Sequence, residues 1–262
     1  MAAEPETPDG PPEHGGAVVT GVGWGAGLEL ARALAGRGYA VHVTDADGAL
    51  AAQAAAEIGP TAFGSALDVR SPAACRAAAG RTQRRTGSLE IWVNNATAPS
   101  SGLAWELDER TRQRVLEINL VGTINGTLAA LEHMRVAERG HVINVIPLPR
   151  RLFAPGQAVF SASRQAAIAF SVGVGADLRQ AGLGGVGVSC LCPTGEMGEG
   201  AAGGELAALL GQALDDPAPL LATPEWRARL LRLYYLWPGP AAAARRVLGG
   251  GARSGWPRRP RP

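Results

Sequence analysis

The sequence predicts an α/β fold: a doubly wound parallel sheet forming a single domain. Short apolar runs rich in Val and Ile alternate with longer Ala-rich stretches of helical spacing between about residues 17 and 192. The first run, Ala17-Val18-Val19-Thr20, breaks into a glycine loop, Gly21-Val22-Gly23-Trp24-Gly25-Ala26-Gly27, and a helical pattern (Leu28, Leu30, Ala31, Leu34) follows. A length of 262 residues suits one well-buried domain and is short for two.

Taken in order, residues 1–15 are rich in Pro, Glu and Gly and read as a disordered tail. The domain spans 16–250. Ala40 to Thr44 forms a second strand ending on Asp45, and Ala49 to Ile58 a helix. Thr61 to Leu67 is a third strand ending in Asp68-Val69; Ser71-Pro72 then opens a helix through N-cap and N1 preferences and carries it to about Arg85. Leu89 to Val93 is a fourth strand, followed by Asn94-Asn95-Ala96-Thr97 and one long helix from Leu107 to Met134. His141 to Ile146 is a fifth strand, Ala158 to Gln180 a helix and Gly187 to Cys192 a sixth strand. Residues 194–237 are expected to form a lid, and 251–262 a basic, Pro-rich tail.

Composition narrows the chemistry. All 25 Lys/Arg residues are arginine, so a lysine Schiff base or lysine general base is excluded. Cys75, Cys190 and Cys192 are too few and too badly spaced for a disulfide framework or a zinc site, so no metal is expected and the compartment is the cytoplasm. No apolar run is long enough to span a bilayer, and no folded basic face points to nucleic acid.

A strand entering a glycine loop and then a helix places free helix amides and a positive dipole end beside the loop, which makes an anion cradle. Gly21, Gly25 and Gly27 allow close backbone approach to a pyrophosphate, and Thr20 closes the strand. Asp45, at the end of the second strand, is placed to accept hydrogen bonds from ribose hydroxyls and to repel a 2′-phosphate; this favours NAD over NADP. A capping or turn aspartate is the other reading of that residue.

Together the glycine loop, Asp45, Asp68-Val69, Asn94-Asn95-Ala96, Asn119 and Pro193 resemble the short-chain dehydrogenase/reductase family, whose fold is Rossmann-like, from about Ala17 to Pro193. The resemblance implies that Asp68 and Val69 meet the adenine, that Asn95 and Ala96 steady the central strand beside the cofactor, and that Asn119 anchors the catalytic geometry. It also implies a tetrad of Asn, Ser, Tyr and Lys, in which Tyr exchanges the proton as hydride moves. Of that tetrad Asn119 alone remains. Phe160 stands in the Tyr position, Arg164 in the Lys position and Pro147 in the Ser position; Thr97 replaces the family's glycine after Asn-Asn-Ala. Arg164 retains donors for a ribose, but its planar fork is no substitute for an ammonium.

Around this position Arg150 and Arg151 read either as a clamp for an anionic substrate or as a solvated surface pair. Glu196 reads as a replacement acid or base, or as loop surface, and Cys192 as a buried inert thiol. Trp226, Tyr234, Tyr235 and Trp237 make either an aromatic lid or a packing contact, and the four histidines fit no catalytic pattern. The expected function is a non-redox cyclisation or isomerisation of a hydrophobic natural-product intermediate, with NAD bound structurally or absent. The alternatives are an NAD-dependent reductase working by substrate assistance and a silent subunit paired with an active homologue. A homodimer or homotetramer, or a hetero-oligomer with such a homologue, is expected through the helices at 107–134 and 158–180.

Overall fold

The computed structural model describes residues 14–23, 26–147, 155–193 and 201–222, together with 226, 228 and 229. Strands β1 (Gly16–Thr20), β2 (Ala40–Asp45), β3 (Ala62–Ala66), β4 (Leu89–Asn94), β5 (Gly140–Val145), β6 (Val186–Cys192) and β7 (Leu220–Ala222) form one parallel sheet in the order β3-β2-β1-β4-β5-β6-β7. The chain direction of strand addition reverses between β1 and β4. Ligands of open α/β sheets bind beyond the carboxyl ends of the strands at such a switch point.

Both faces of the sheet are covered, which is why its strands read as near-continuous apolar runs. On one face α1 (Gly27–Ala35) and α7 (Ala201–Asp215) bury Leu30, Leu34, Leu206 and Leu210 against Val19, Val43 and Ile143, beside α2 (Gly48–Ile58). On the other, α3 (Pro72–Thr86), α5 (Thr123–Ala137) and α6 (Ala158–Gln180) bury Cys75, Met134 and Leu178 against Val18, Trp92 and Val142. A smaller cluster, Ile146, Ile168 and Leu220, seals the β6–β7 side.

Two elements differ from expectation. The long helix expected from Leu107 to Met134 is α4 (Glu109–Leu116), then a π-helical turn (Glu117–Gly122), then α5. Asn119 lies in that turn, bonded on both sides to Ala98, and the wider turn carries this side chain to the loop after β4. The sheet also gains a seventh strand, β7, which pairs with Cys190–Cys192 from within the segment expected as lid. Three residues without alternation leave little sequence signal for it.

Candidate active site

The first half of the site lies where β1 and β4 diverge. Thr20 Oγ1 accepts bonds from the backbone amides of Asn95 (3.0 Å) and Ala96 (3.2 Å) and donates to Val93 O. Asn95 Nδ2 donates back to the Thr20 and Gly21 carbonyls, so the two strand ends are stitched together. Gly21 sits at φ +72°, and a Cβ there would come within 2.6 Å of Ala96 Cα; one on Gly27 would reach 2.7 Å from Asn95 Nδ2. Backbone approach is therefore as close as glycine permits. The first turn of α1 has no side-chain cap, leaving its amides for an anion, and Asn95 Oδ1 is buried without a partner among the described residues.

At the end of β2, Asp45 accepts the Gly23 amide on Oδ2 (2.9 Å) and the Asp47 amide on Oδ1 (3.0 Å), which points its carboxylate at the glycine loop. Asp68, beyond β3, is clasped by Arg70, whose side-chain hydrogen bond holds the carboxyl below its ordinary range. Val69 is buried and offers its carbonyl to Asn125 Nδ2. A glycine cradle, an uncapped helix start and an acid at the second strand end fit a dinucleotide. Thr20, Gly21, Gly27 and Asp45 would hold it; Gly25 lies outside the described residues.

The second half lies one strand over, between β4, β5 and α6. Asn119 is 2 % exposed and wholly engaged: its Oδ1 accepts from Ala98 N (2.7 Å) and Thr97 Oγ1 (3.2 Å), and its Nδ2 donates to Ala98 O (3.0 Å) and Ser163 Oγ (3.2 Å). Arg164 donates to Thr97 Oγ1 and to Val145 O, and its guanidinium lies 4.6 Å from the centre of the half-buried Phe160 ring. Burial lowers its pKa to about 10, so it stays charged at neutral pH. Pro147 and Pro193 are buried at the ends of β5 and β6. Phe160 has no exchangeable proton and Pro147 no hydroxyl, so neither position supplies an acid.

Beneath this half runs a polar chain that sequence reading missed. Trp92 Nε1 donates to Asn94 Oδ1 (2.7 Å), Asn94 Nδ2 to Asn144 Oδ1 (2.8 Å), and Asn144 Nδ2 to Ser171 Oγ (2.7 Å). The Thr97–Arg164 and Asn119–Ser163 links were missed too. The signal available was that Thr97 and Arg164 both differ from the residues that the family resemblance implies at those positions, which invites a contact. His42 is buried between Thr82 and Ser65, and His141 against Ser189, consistent with packing. Arg150, Arg151, Glu196, Tyr234, Tyr235 and Trp237 lie outside the described residues, while Trp226 is 59 % exposed.

The sequence model of the short chain dehydrogenase family matches residues 16–198. The chain belongs to this family. One relative, the inactive 2-(S)-hydroxypropyl-CoM dehydrogenase 2 of Xanthobacter autotrophicus, is 32 % identical over 164 residues, 63 % of this chain and 70 % of the relative. A metagenomic short-chain oxidoreductase solved with NADP matches with TM-score 0.70 and 25 % identity over 80 % of this chain and 96 % of that one. A short-chain dehydrogenase/reductase from Burkholderia phymatum solved with NAD matches with TM-score 0.72 and 22 % identity, over 93 % and 98 % respectively, and shares the fold. Such neighbours bind either dinucleotide. Among the described residues no helix is long and apolar enough to cross a membrane.

Proposed function

We propose that this short-chain dehydrogenase/reductase is a catalytically silent subunit that keeps a dinucleotide cradle and works beside an active homologue. The observation that carries the reading is the inward closure of the catalytic position. Arg164 is turned onto Thr97, Val145 and the Phe160 ring, Asn119 is saturated by Ala98, Thr97 and Ser163, and among the described residues no proton donor takes the place of the Tyr that the family resemblance implies. A bound nicotinamide supplies a hydride; general acid–base help worth about 10²- to 10⁴-fold is absent among the described residues of this wall. The inactive relative supports the same reading. The aspartate at the end of β2 supports NAD over NADP. The exposed apolar side chains Leu116, Val121 and Leu128 on α4, the π turn and α5 support subunit pairing through that face.

This reading takes precedence over the cyclisation or isomerisation expected from the sequence, because the relatives carry dehydrogenase and oxidoreductase names. The test is purification alone and co-expressed with short-chain dehydrogenases of the same genome, with NADH turnover followed on simple ketones. Expected are no turnover alone, stable co-purification with one homologue, and gain of turnover in the triple variant Phe160→Tyr, Pro147→Ser, Arg164→Lys. Wild-type NADH consumption in step with product establishes substrate-assisted reduction instead. A product of the same mass as its precursor, formed by the isolated chain, establishes cyclisation or isomerisation.

A further inference from the structure

We propose that the chain's own C-terminal segment, residues 252–262, docks on an acidic, tryptophan-centred turn between β4 and α4, formed by Leu103, Trp105, Glu106, Asp108 and Glu109. Docking asks nothing of the catalytic position, so it goes beyond the silent-subunit reading. Trp105 is 80 % exposed and Leu103 37 %. Glu106, Asp108 and Glu109 are exposed beside them, against Arg110, and none of the three forms an ion pair among the described residues. Asp108 accepts from Thr111 and Glu109 from Gln113, both neutral. Carboxylates elsewhere on the surface are matched: Glu29 and Glu57 by Arg32, Asp68 and Glu117 by Arg70, Asp215 by Arg37. The turn itself is held from both ends. Gly102 N donates to Gly156 O (3.0 Å), the Glu106 and Leu107 amides donate to Leu103 O, and Arg112 donates to Leu107 O, so Trp105 is presented on a fixed frame.

The occupant follows from charge. Residues 226–262 carry nine arginines and no Asp or Glu, in a chain whose net charge is only +2, so positive charge is gathered at one end of the sequence, opposite in sign to the turn. Its last stretch reads Trp256-Pro257-Arg258-Arg259-Pro260-Arg261-Pro262. On the three-residue helix that proline favours, Pro257 and Pro260 share one face and Arg258 and Arg261 share another. An aromatic surface flanked by carboxylates takes such a segment: the prolines lie on the indole, the arginines reach the acids, and a guanidinium stacks on the ring. One exposed ion pair is worth little, but several on one stiff segment, held by its tether at an effective concentration of around millimolar, make weak contacts sufficient. The chain between Arg229 and Trp256 reaches up to about 90 Å when extended, more than the span of a domain of this size.

The test uses the full chain labelled with fluorotryptophan, its Trp105 signal identified in fluorine NMR through Trp105→Phe. Expected is a signal that shifts in the triple variant Arg258→Ala, Arg259→Ala, Arg261→Ala and returns saturably when a synthetic peptide of residues 252–262 is added to that variant. The wild type, its turn already covered, should take the same peptide at least about tenfold more weakly. Within the triple variant, Trp105→Ala should abolish peptide binding in calorimetry, and Glu106→Gln should weaken it about threefold. Both side chains are exposed, so their replacement spares the core. A Trp105 signal that the triple variant leaves unmoved, or equal peptide affinity with and without Trp105→Ala, overturns the proposal. So does peptide binding that is lost on replacing Glu4, Glu6, Asp9 and Glu13 by Gln, since the arginines then sit on the acids of the N-terminal segment. Oligonucleotide binding by the wild type that leaves the Trp105 signal unmoved overturns it as well, because the arginines are then open to phosphate.

Discussion

The two seams that flank β4 began from the same scaffold and carry opposite chemistry. On the β1 side, Thr20 and Asn95 tie strand to strand through backbone groups, and the glycine loop keeps its approach open. On the β5 side, Thr97, Asn119, Ser163 and Arg164 close on one another. The difference lies in which residues also hold the sheet. Gly21 and Thr20 cannot change without disturbing the β1–β4 junction, so the cradle is protected by the fold. Residues 147 and 160 sit above the β5 seam, whose strands are held lower down by Asn94 and Asn144, and their chemistry is replaceable without loss of the sheet. Fold and catalysis are separable on one side of β4 and fused on the other.

Acid should strike the sheet on both sides of β4, through His42 on β2 and His141 on β5, and it gives the largest effect. Burial pushes His42 down to about 3 and His141 down to about 4. The unfolded chain protonates both near an ordinary value of about 6.5, so below that pH it binds more protons than the native protein. This stability is therefore full above about pH 6.5 and lost as pH falls toward the folded values, by roughly 4 kcal/mol at pH 5 for both rings together. Urea denaturation from pH 7.5 to 5 checks it. A flat profile would show that the two rings are not neutral parts of the sheet.

Gly21→Val should break the first seam alone. The residue sits in the left-handed region, and its new Cβ meets the backbone of Ala96. Strain of about 1–3 kcal/mol plus the steric contact makes a loss of roughly 3 kcal/mol in urea, with dinucleotide binding abolished in calorimetry. The α6 cluster has no part in that contact. Retained binding in Gly21→Val would dissolve the distinction between the seams.

Asn94→Ala should break the second seam alone. It strands Trp92 Nε1 and removes the donor to Asn144 and Thr127, all buried. Unsatisfied buried groups of this kind cost about 1–3 kcal/mol each, partly relieved by water, so the expected loss is roughly 2–3 kcal/mol in urea. Dinucleotide affinity should be nearly unchanged.

The fold was legible because its signals are local and repeated. α6 was read from its apolar spacing with the limits the structure shows, and α3 from Ser71-Pro72, which caps and starts it. The glycine loop was legible because φ > 0 and close approach leave little choice of residue. The π turn was not, since Ile118-Asn119-Leu120 keeps helical composition, and the bond that accompanies the widening goes to Ala98, a residue 21 positions earlier. At the catalytic position that the family resemblance implies, Pro147, Phe160 and Arg164 were plain in the sequence, whereas the inward closure was not. A guanidinium reaching Thr97, 67 residues away, is a tertiary event with no periodic signature.

The smallest effect tests how far the first seam extends toward the third strand. Ser71 caps α3 by accepting the Ala74 amide (3.2 Å), and its own amide donates to the Asp68 carbonyl (3.0 Å), so it joins the helix start to the loop that carries Asp68 and Val69. Ser71→Ala removes the side-chain acceptor and keeps the backbone link. Loss of such a cap costs about 1 kcal/mol, and Pro72 at the first helical position, already lacking an amide hydrogen, keeps the helix start in register. If the cradle is built by the glycine loop and Asn95, dinucleotide affinity in Ser71→Ala changes by less than about threefold while the urea midpoint falls measurably. A binding loss as complete as that of Gly21→Val would mean that the loop after β3 is as much a part of the cradle as the loop after β1. The protected region would then reach to the β3 side of the sheet instead of ending at the β1–β4 junction.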